Sequence, residues 1–284
     1  MKKIGKYISI FSLGLVVLIL VAGIFTQTSI FRNWLKNRAI AALDAEFGSK
    51  TSVQSLNGNL FTYFQIENFA VELENKPFVK IKRALFHYSP IGLFFKRIVI
   101  REIILESPEI NLVQDEEATW NFSRFFKSSK SDSETETTIS EFGWSLIAPM
   151  IQVRSGAADI QTLNDISVRV PARIRGFNLD LGVWLQKNQI KVSLQNLNFE
   201  TFEPALSVRT VQSEVNLDSV NFHARGIVIE TGNSKFSANL VVKNFENPVL
   251  NVLMKGHPIS FSEIRGIFPD LQLYGRPRIE IEAE

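Results

Sequence analysis

The side chains best suited to proton transfer or metal binding near neutral pH are three histidines, His87, His223 and His257. They are far apart in sequence, and none sits in a metal-ligand spacing such as HExxH. Gly232-Asn233-Ser234-Lys235 looks superficially like a phosphate-binding loop, but the Walker spacing is absent and a hairpin turn accounts for it. No serine lies in a GxSxG elbow. Asp115, Glu116 and Glu117 cluster in a polar stretch that reads as a solvated turn. Arg169, Arg173 and Arg175 form the one local basic group, which reads either as a contact for lipid headgroups or as an ordinary solvent face. No catalytic constellation emerges, so the expectation is a non-enzymatic protein with no cofactor and no metal.

Composition narrows the partners. The net charge is +2 and its Lys and Arg are dispersed, which argues against nucleic acid. The chain has no cysteine, which excludes disulfides and thiolate metal sites and is compatible with an oxidising envelope compartment. Phenylalanine occurs 23 times against four Tyr and four Trp. Phe supplies aromatic bulk without a polar tip, which suits a surface kept dry.

The elements that would carry such a surface can be read from hydrophobic period. No charged residue occurs from Tyr7 to Phe31, and Lys2, Lys3 and Lys6 precede that run. Its core, from Ile8 to Phe25, covers about 27 Å as a helix, close to the hydrocarbon thickness of a bilayer. Ile8, Phe11, Leu15, Leu18 and Phe25 are expected to anchor it, with the N-terminus cytoplasmic by the positive-inside rule. The rival reading is a cleaved signal peptide, with Val21-Ala22-Gly23 near the cleavage site. Both readings export the remainder. Thr28 or Ser29 can cap an amphipathic helix that ends at Phe47, with Gly48 as the stop. Phe31, Trp34, Leu35, Leu43 and Phe47 form its apolar side, available to the sheet or to the membrane.

From Thr51 the period changes to two. Apolar strands run through Phe64-Gln65-Ile66, Phe69 to Leu73, Phe78 to Ile81, Ile98 to Ile100, Ile103 to Leu105 and Ile110 to Leu112, with a turn at Ser89 to Leu93. At Pro108 the apolar parity switches, which predicts a bulge or a strand boundary. Ser128 to Thr138 contains no apolar residue and reads as a disordered linker. Beyond it the alternation is cleanest. Ile190, Val192 and Leu194, then Val215 and Leu217, then Phe236, Ala238, Leu240 and Val242 each share one strand face. Short turns between strands imply antiparallel hairpins. A sheet with one apolar face must bury it on a second sheet or on something that is not protein. A sandwich and an open trough holding acyl chains both satisfy this pattern.

The order of features resembles a known family. Gly58-Asn59-Leu60 leads into Ile66-Glu67-Asn68-Phe69-Ala70-Val71. Then come Tyr88-Ser89-Pro90-Ile91-Gly92-Leu93, Ile98-Val99-Ile100, Ile103 to Leu112, Trp120-Asn121, and the later Phe268-Pro269-Asp270-Leu271-Gln272-Leu273-Tyr274-Gly275. This is similar to the AsmA-like superfamily, most closely to the N-terminal region of its TamB branch, the inner-membrane subunit of the translocation and assembly module. The resemblance implies a mainly β fold. An N-terminal transmembrane helix and an amphipathic helix precede a long antiparallel sheet curled into an open trough with an apolar lining. It implies a single-pass protein of the bacterial inner membrane, with its bulk in the periplasm, that conducts phospholipid between inner and outer membranes. The alternative it implies is a scaffold for outer-membrane protein assembly or autotransporter secretion with an outer-membrane β-barrel partner. A third reading is a periplasmic sandwich with a structural or adhesive role.

The expected organisation is a cytoplasmic tip and anchor over 1–27, the amphipathic helix over 28–48, a first β-region over 49–127, the linker over 128–138, and a second β-region over 139–284, read as truncated at its C-terminal end. Ile190, Val192, Leu194, Val215, Leu217, Phe236, Ala238, Leu240 and Val242 are the expected groove lining.

Overall fold

The structure is a computed structural model that describes residues 13–14, 17, 21, 23–59, 61–123, 144–162, 168–245, 247–271 and 279–283. The anchor positions Ile8, Phe11, Leu15 and Leu18, and the linker 128–138, lie outside them. Described positions from Leu13 to Thr26 are helical, and Phe25 stands 53% exposed. Among the described residues no helix is long and apolar enough to cross a membrane.

Helix α1 spans Ser29–Phe47. Thr28 takes an extended conformation and its Oγ1 accepts the Phe31 N–H at 3.2 Å, which satisfies one of the helix's open donors. Gly48, at φ 58°, ends the helix in the left-handed region open to glycine. Asp44 then ties the helix to the chain just beyond it, its Oδ1 accepting the Thr51 N–H at 2.7 Å and the Ser49 hydroxyl at 3.2 Å. The helix therefore turns back beside the first strand and packs against it. Phe31, Leu35, Leu43 and Phe47 are half-buried, whereas Trp34 is 60% exposed and does not join the packed side.

All twelve described strands form one sheet in sequence order: β1 (Lys50–Asn59), β2 (Tyr63–Leu73), β3 (Lys76–Ser89), β4 (Arg97–Val113), β5 (Ser145–Gln161), β6 (Arg173–Gln186), β7 (Gln189–Phe202), β8 (Leu206–Asp218), β9 (Phe222–Thr231), β10 (Lys235–Lys243), β11 (Val249–Gly256) and β12 (Ile279–Ala283). The first and last strands are not paired, so the sheet is not closed into a barrel. At about 4.8 Å per strand it is roughly 50 Å wide. A sandwich needs a second sheet, and the described strands supply none.

Two expectations need correction. The sheet is not antiparallel throughout, because β4 and β5 pair in parallel, Ile103 opposite Ile151 and Leu105 opposite Val153. A parallel neighbour requires a connection that returns the length of the strand, and the 31 residues of 114–144 provide it. The separate short strands expected between Ile98 and Leu112 are one strand, β4, whose irregularity at Pro108 lies within it. Ser107 has φ 48° there.

That irregularity belongs to a line across the sheet. The ladder skips Gln54/Asn68 between β1 and β2, Asn68/Lys82 between β2 and β3, and Lys82/Ser107 between β3 and β4. Positive φ recurs at Asn68, Ser107 and Ser155 on β2, β4 and β5, and at Gly176 on β6. The register is the same on both sides of each of these skips, so they are in-register kinks at which the apolar set changes parity while neighbouring strands stay aligned. Bulges with a register shift interrupt the β5–β6 and β9–β10 ladders. Side-chain amides satisfy the backbone donors that bulges leave unpaired. Asn178 Oδ1 accepts the Ser155 N–H at 2.9 Å, and Asn239 Oδ1 on β10 accepts the N–H of Gly226 on β9 at 2.9 Å.

Candidate functional site

Residues opposite one another on neighbouring strands share a face, so the register identifies what each face carries. One row runs Leu146–Leu185–Ile190–Leu217–Phe222–Val242–Leu250 from β5 to β11. The next runs Ala148–Val183–Val192–Val215–Ala224–Leu240–Val252. Leu194 lies in a third, Phe64–Phe86–Ile103–Ile151–Leu181–Leu194, and a fourth runs Leu56–Ile66–Ala84–Leu105–Val153–Leu179–Leu197. Phe236 and Ala238 precede Leu240 on β10, opposite Ile229 and Ile227. All nine expected lining residues thus fall on one face, in adjacent rows.

The N-terminal half of that surface was not among the expected residues. Phe64, Ile66, Ala84, Phe86, Ile103 and Leu105 carry it across β2, β3 and β4. The available signal was the parity switch, seen at Pro108 but equally present between Ile66 and Phe69 and between Ile81 and Ala84.

Among the described residues no protein layer seals this face. All nine expected lining residues are half-buried and none is buried. Among the described residues no large side chain is fully buried, and the buried apolar residues on the sheet are mostly small or β-branched: Val71, Leu73, Ala84, Ala148, Val153, Val208 and Ala224.

The opposite face is predominantly polar and charged. Glu67, Arg83, Glu106 and Arg154 stand opposite one another across β2 to β5 in alternating sign. Arg83 forms a two-point ion pair with Glu106. The Arg83 hydrogen bond and its charge hold the Glu106 carboxyl below its ordinary value despite some burial. Gln152 donates to Asp180 at 2.9 Å, and Lys191 sits 5.6 Å from the centroid of the Trp184 ring.

The chemistry-bearing residues are dispersed. His87 Nδ1 lies 2.7 Å from Glu102 Oε2 on the polar face, and no group of metal-ligating side chains occurs among the described residues. Asp115 Oδ1 accepts the Glu117 and Thr119 N–H groups, an ordinary turn. The basic group is largely committed to protein partners. Arg173 pairs with Glu203 at 2.7 Å and Arg175 with Asp159 at 2.5 Å. Gly232-Asn233-Ser234-Lys235 is the β9–β10 turn, and its polar groups serve Glu263 of helix α2 (Phe261–Ile267). Thr231 Oγ1 and Ser234 Oγ donate to Glu263 Oε2 at 2.5 and 2.7 Å, and the Asn233 N–H donates to Oε1 at 2.8 Å.

The described residues thus supply an extended apolar surface across the sheet. The AsmA family profile matches residues 1–168. No curated protein and no solved structure matches the chain. With more than half of its length matched, from the N-terminal run through β5, the chain belongs to the AsmA family.

Proposed function

We propose that this protein is held in the bacterial inner membrane by its uncharged N-terminal run and conducts phospholipid across the periplasm, acyl chains lying on the apolar face of its sheet. The observation that carries this reading is the continuity of the apolar rows from β2 to β11 on a face that no second layer among the described residues seals. AsmA membership supports a role in outer-membrane biogenesis. A methylene moved from water to an apolar surface gains about 0.8 kcal/mol. A chain of about 16 methylenes half-covered by such a face gains on the order of 6 kcal/mol, before the cost of ordering it. Successive rows are chemically alike, so movement from one to the next exchanges like contacts for like. The in-register kinks across β1 to β4 and the bulges between β5 and β6 can curl the sheet into a trough.

The test is photo-crosslinking from Leu194 and Leu240 on the apolar face, with Ser193 and Asn239 on the other as controls, in protein taken from native membranes. Phospholipid adducts confined to Leu194 and Leu240 are expected. Adducts to outer-membrane proteins in place of lipid would replace the conduit with the assembly-scaffold reading.

A further inference from the structure

The β3–β4 connection presents more apolar surface than any turn needs. Pro90–Phe95 forms a short 3-10 turn in which Phe94 is 86% exposed, Phe95 70%, Ile91 66% and Leu93 50%. Nothing in the described residues covers these side chains. The turn that presents them is closed by its own backbone. Lys96 closes the turn at φ 53°, its N–H donating to the Leu93 carbonyl at 3.2 Å. A Cβ on Gly92 would come within 2.5 Å of the Arg97 carbonyl oxygen, so the turn is packed down on the start of its own strand. Lys96 and Arg97 come next in the chain, and neither forms an ion pair with the described residues.

The surroundings share this character. The Ser145 N–H donates to the Lys96 carbonyl at 3.0 Å, which sets the 38% exposed Trp144 beside the turn. Phe61, 41% exposed, lies in the β1–β2 turn, whose neighbour Thr62 accepts the Tyr88 N–H next to β3's end. A Cβ on Gly23 would stand 3.6 Å from the Phe61 ring. The end of the uncharged N-terminal run, with Val21, Ile24 and Phe25 exposed, therefore reaches this same end of the sheet. The opposite end of β3 is the polar Glu74-Asn75 turn.

We infer that Pro90–Phe95 is a membrane-seating wedge. Its four apolar side chains enter the interfacial layer of the bilayer that receives the N-terminal run, with Lys96 and Arg97 at the level of anionic phosphates. Aromatic and aliphatic side chains flanked by cations suit that layer, where acyl chains begin and headgroup charge is close. A protein partner would need to reach a tip crowded by the membrane-bound run, which favours the lipid surface as occupant. The sheet is thus attached at two points, which fixes its orientation on the bilayer and places Phe64 and Phe86, the start of an apolar row, beside the headgroups. The inference rests on the anchoring part of the proposed function and not on lipid conduction.

The absence of native cysteine makes a clean test possible in the full chain. Phe94→Cys and Asn75→Cys, at opposite ends of β3, are each labelled with an environment-sensitive fluorophore in vesicles of phosphatidylcholine and phosphatidylglycerol. The label at 94 should shift to the blue and be quenched several-fold more strongly by shallow nitroxide lipids than the label at 75. Adding Lys96→Gln and Arg97→Gln, or omitting the anionic lipid, should reduce that quenching. A label at 94 that is reached by aqueous iodide as readily as the one at 75 would overturn the wedge. A third label, Leu240→Cys, separates the two ideas, since lipid contact at 240 without contact at 94 leaves conduction standing and removes the wedge. Contact at 94 without contact at 240 does the reverse.

Discussion

Replacing Leu240 by Ala tests whether the apolar face is open. Leu240 lies between Ala224 on β9 and Val252 on β11, half-buried, with its tip on the uncovered side. In a closed core the change would cost about 3–5 kcal/mol, the lost transfer energy plus that of a cavity. Here the three lost carbons are worth about 2.4 kcal/mol if fully buried and about 1.2 kcal/mol at half burial. No cavity term is added, because the vacated volume opens outward. The expected loss is therefore about 1 kcal/mol. Ile259 supplies the contrast within the same chain. It is 8% exposed, and a Cβ on Gly256 would come within 2.8 Å of its Cδ1, so protein encloses it. Ile259→Ala should cost about 2–4 kcal/mol. The assay is urea unfolding of delipidated protein followed by tryptophan fluorescence, comparing midpoints at a common slope. Equal losses for the two substitutions would mean that a protein layer covers Leu240, and the open-face argument would fail.

Local geometry sets two further outcomes. Burial alone pushes the Glu263 carboxyl up, but hydrogen bonds from Thr231, Ser234 and Asn233 outweigh it and leave it below its ordinary value of 4.5. A carboxyl with a lower pKa folded than unfolded stabilises fully above the unfolded value, and that contribution is lost as pH falls through the folded one. Amide exchange in α2 and at Asn233 should therefore gain protection above about pH 4.5 and lose it below, while Glu263→Gln abolishes the pH dependence and costs about 1.5 kcal/mol, the low end for charge-assisted bonds because the carboxylate is only half-buried; an unchanged acid transition in the variant would exclude this carboxyl as its source. Deleting 128–138 leaves 20 of the 31 connecting residues, with a reach of about 66–72 Å against roughly 56 Å for the length of β4, so thermal unfolding should be nearly unchanged, and a large drop would show that the segment carries contacts of its own.

Sequence legibility followed locality. Thr28 and Gly48 bounded α1 correctly because capping is set within one turn of chain. The alternation in β7, β8 and β10 was readable because Ile190 to Leu194 run in unbroken register, and the bulge beside Ala238 and Leu240 puts its extra residue on β9 and leaves the parity of β10 intact. The same face was hidden in β2 to β4, where a residue in the left-handed region, such as Asn68 or Ser107, shifts the parity halfway along the strand. Trp34 satisfied the helical period yet remained exposed, since period alone does not say how wide the packed side is. The parallel β4–β5 pair had no local signal at all, because partners about 48 positions apart meet through tertiary pairing. The Pro90–Phe95 turn was legible as a turn, but its exposure depends on how much the surrounding strands leave uncovered.

The parallel pair also sets an order of events. β1 to β4 can form as a meander of adjacent hairpins, and so can β5 to β11, but the two halves join only through the β4–β5 ladder. Every contact across that seam closes a long loop, which makes it the slow step of folding. During synthesis β4 waits for the 48 residues through the end of β5, roughly 2–10 s at common elongation rates. Over that interval a 17-residue strand rich in isoleucine presents an open edge, the kind that recruits foreign strands. The vulnerability of this protein is therefore one of timing. Its yield should depend on whether β5 arrives, or a chaperone covers β4, before a second nascent chain does.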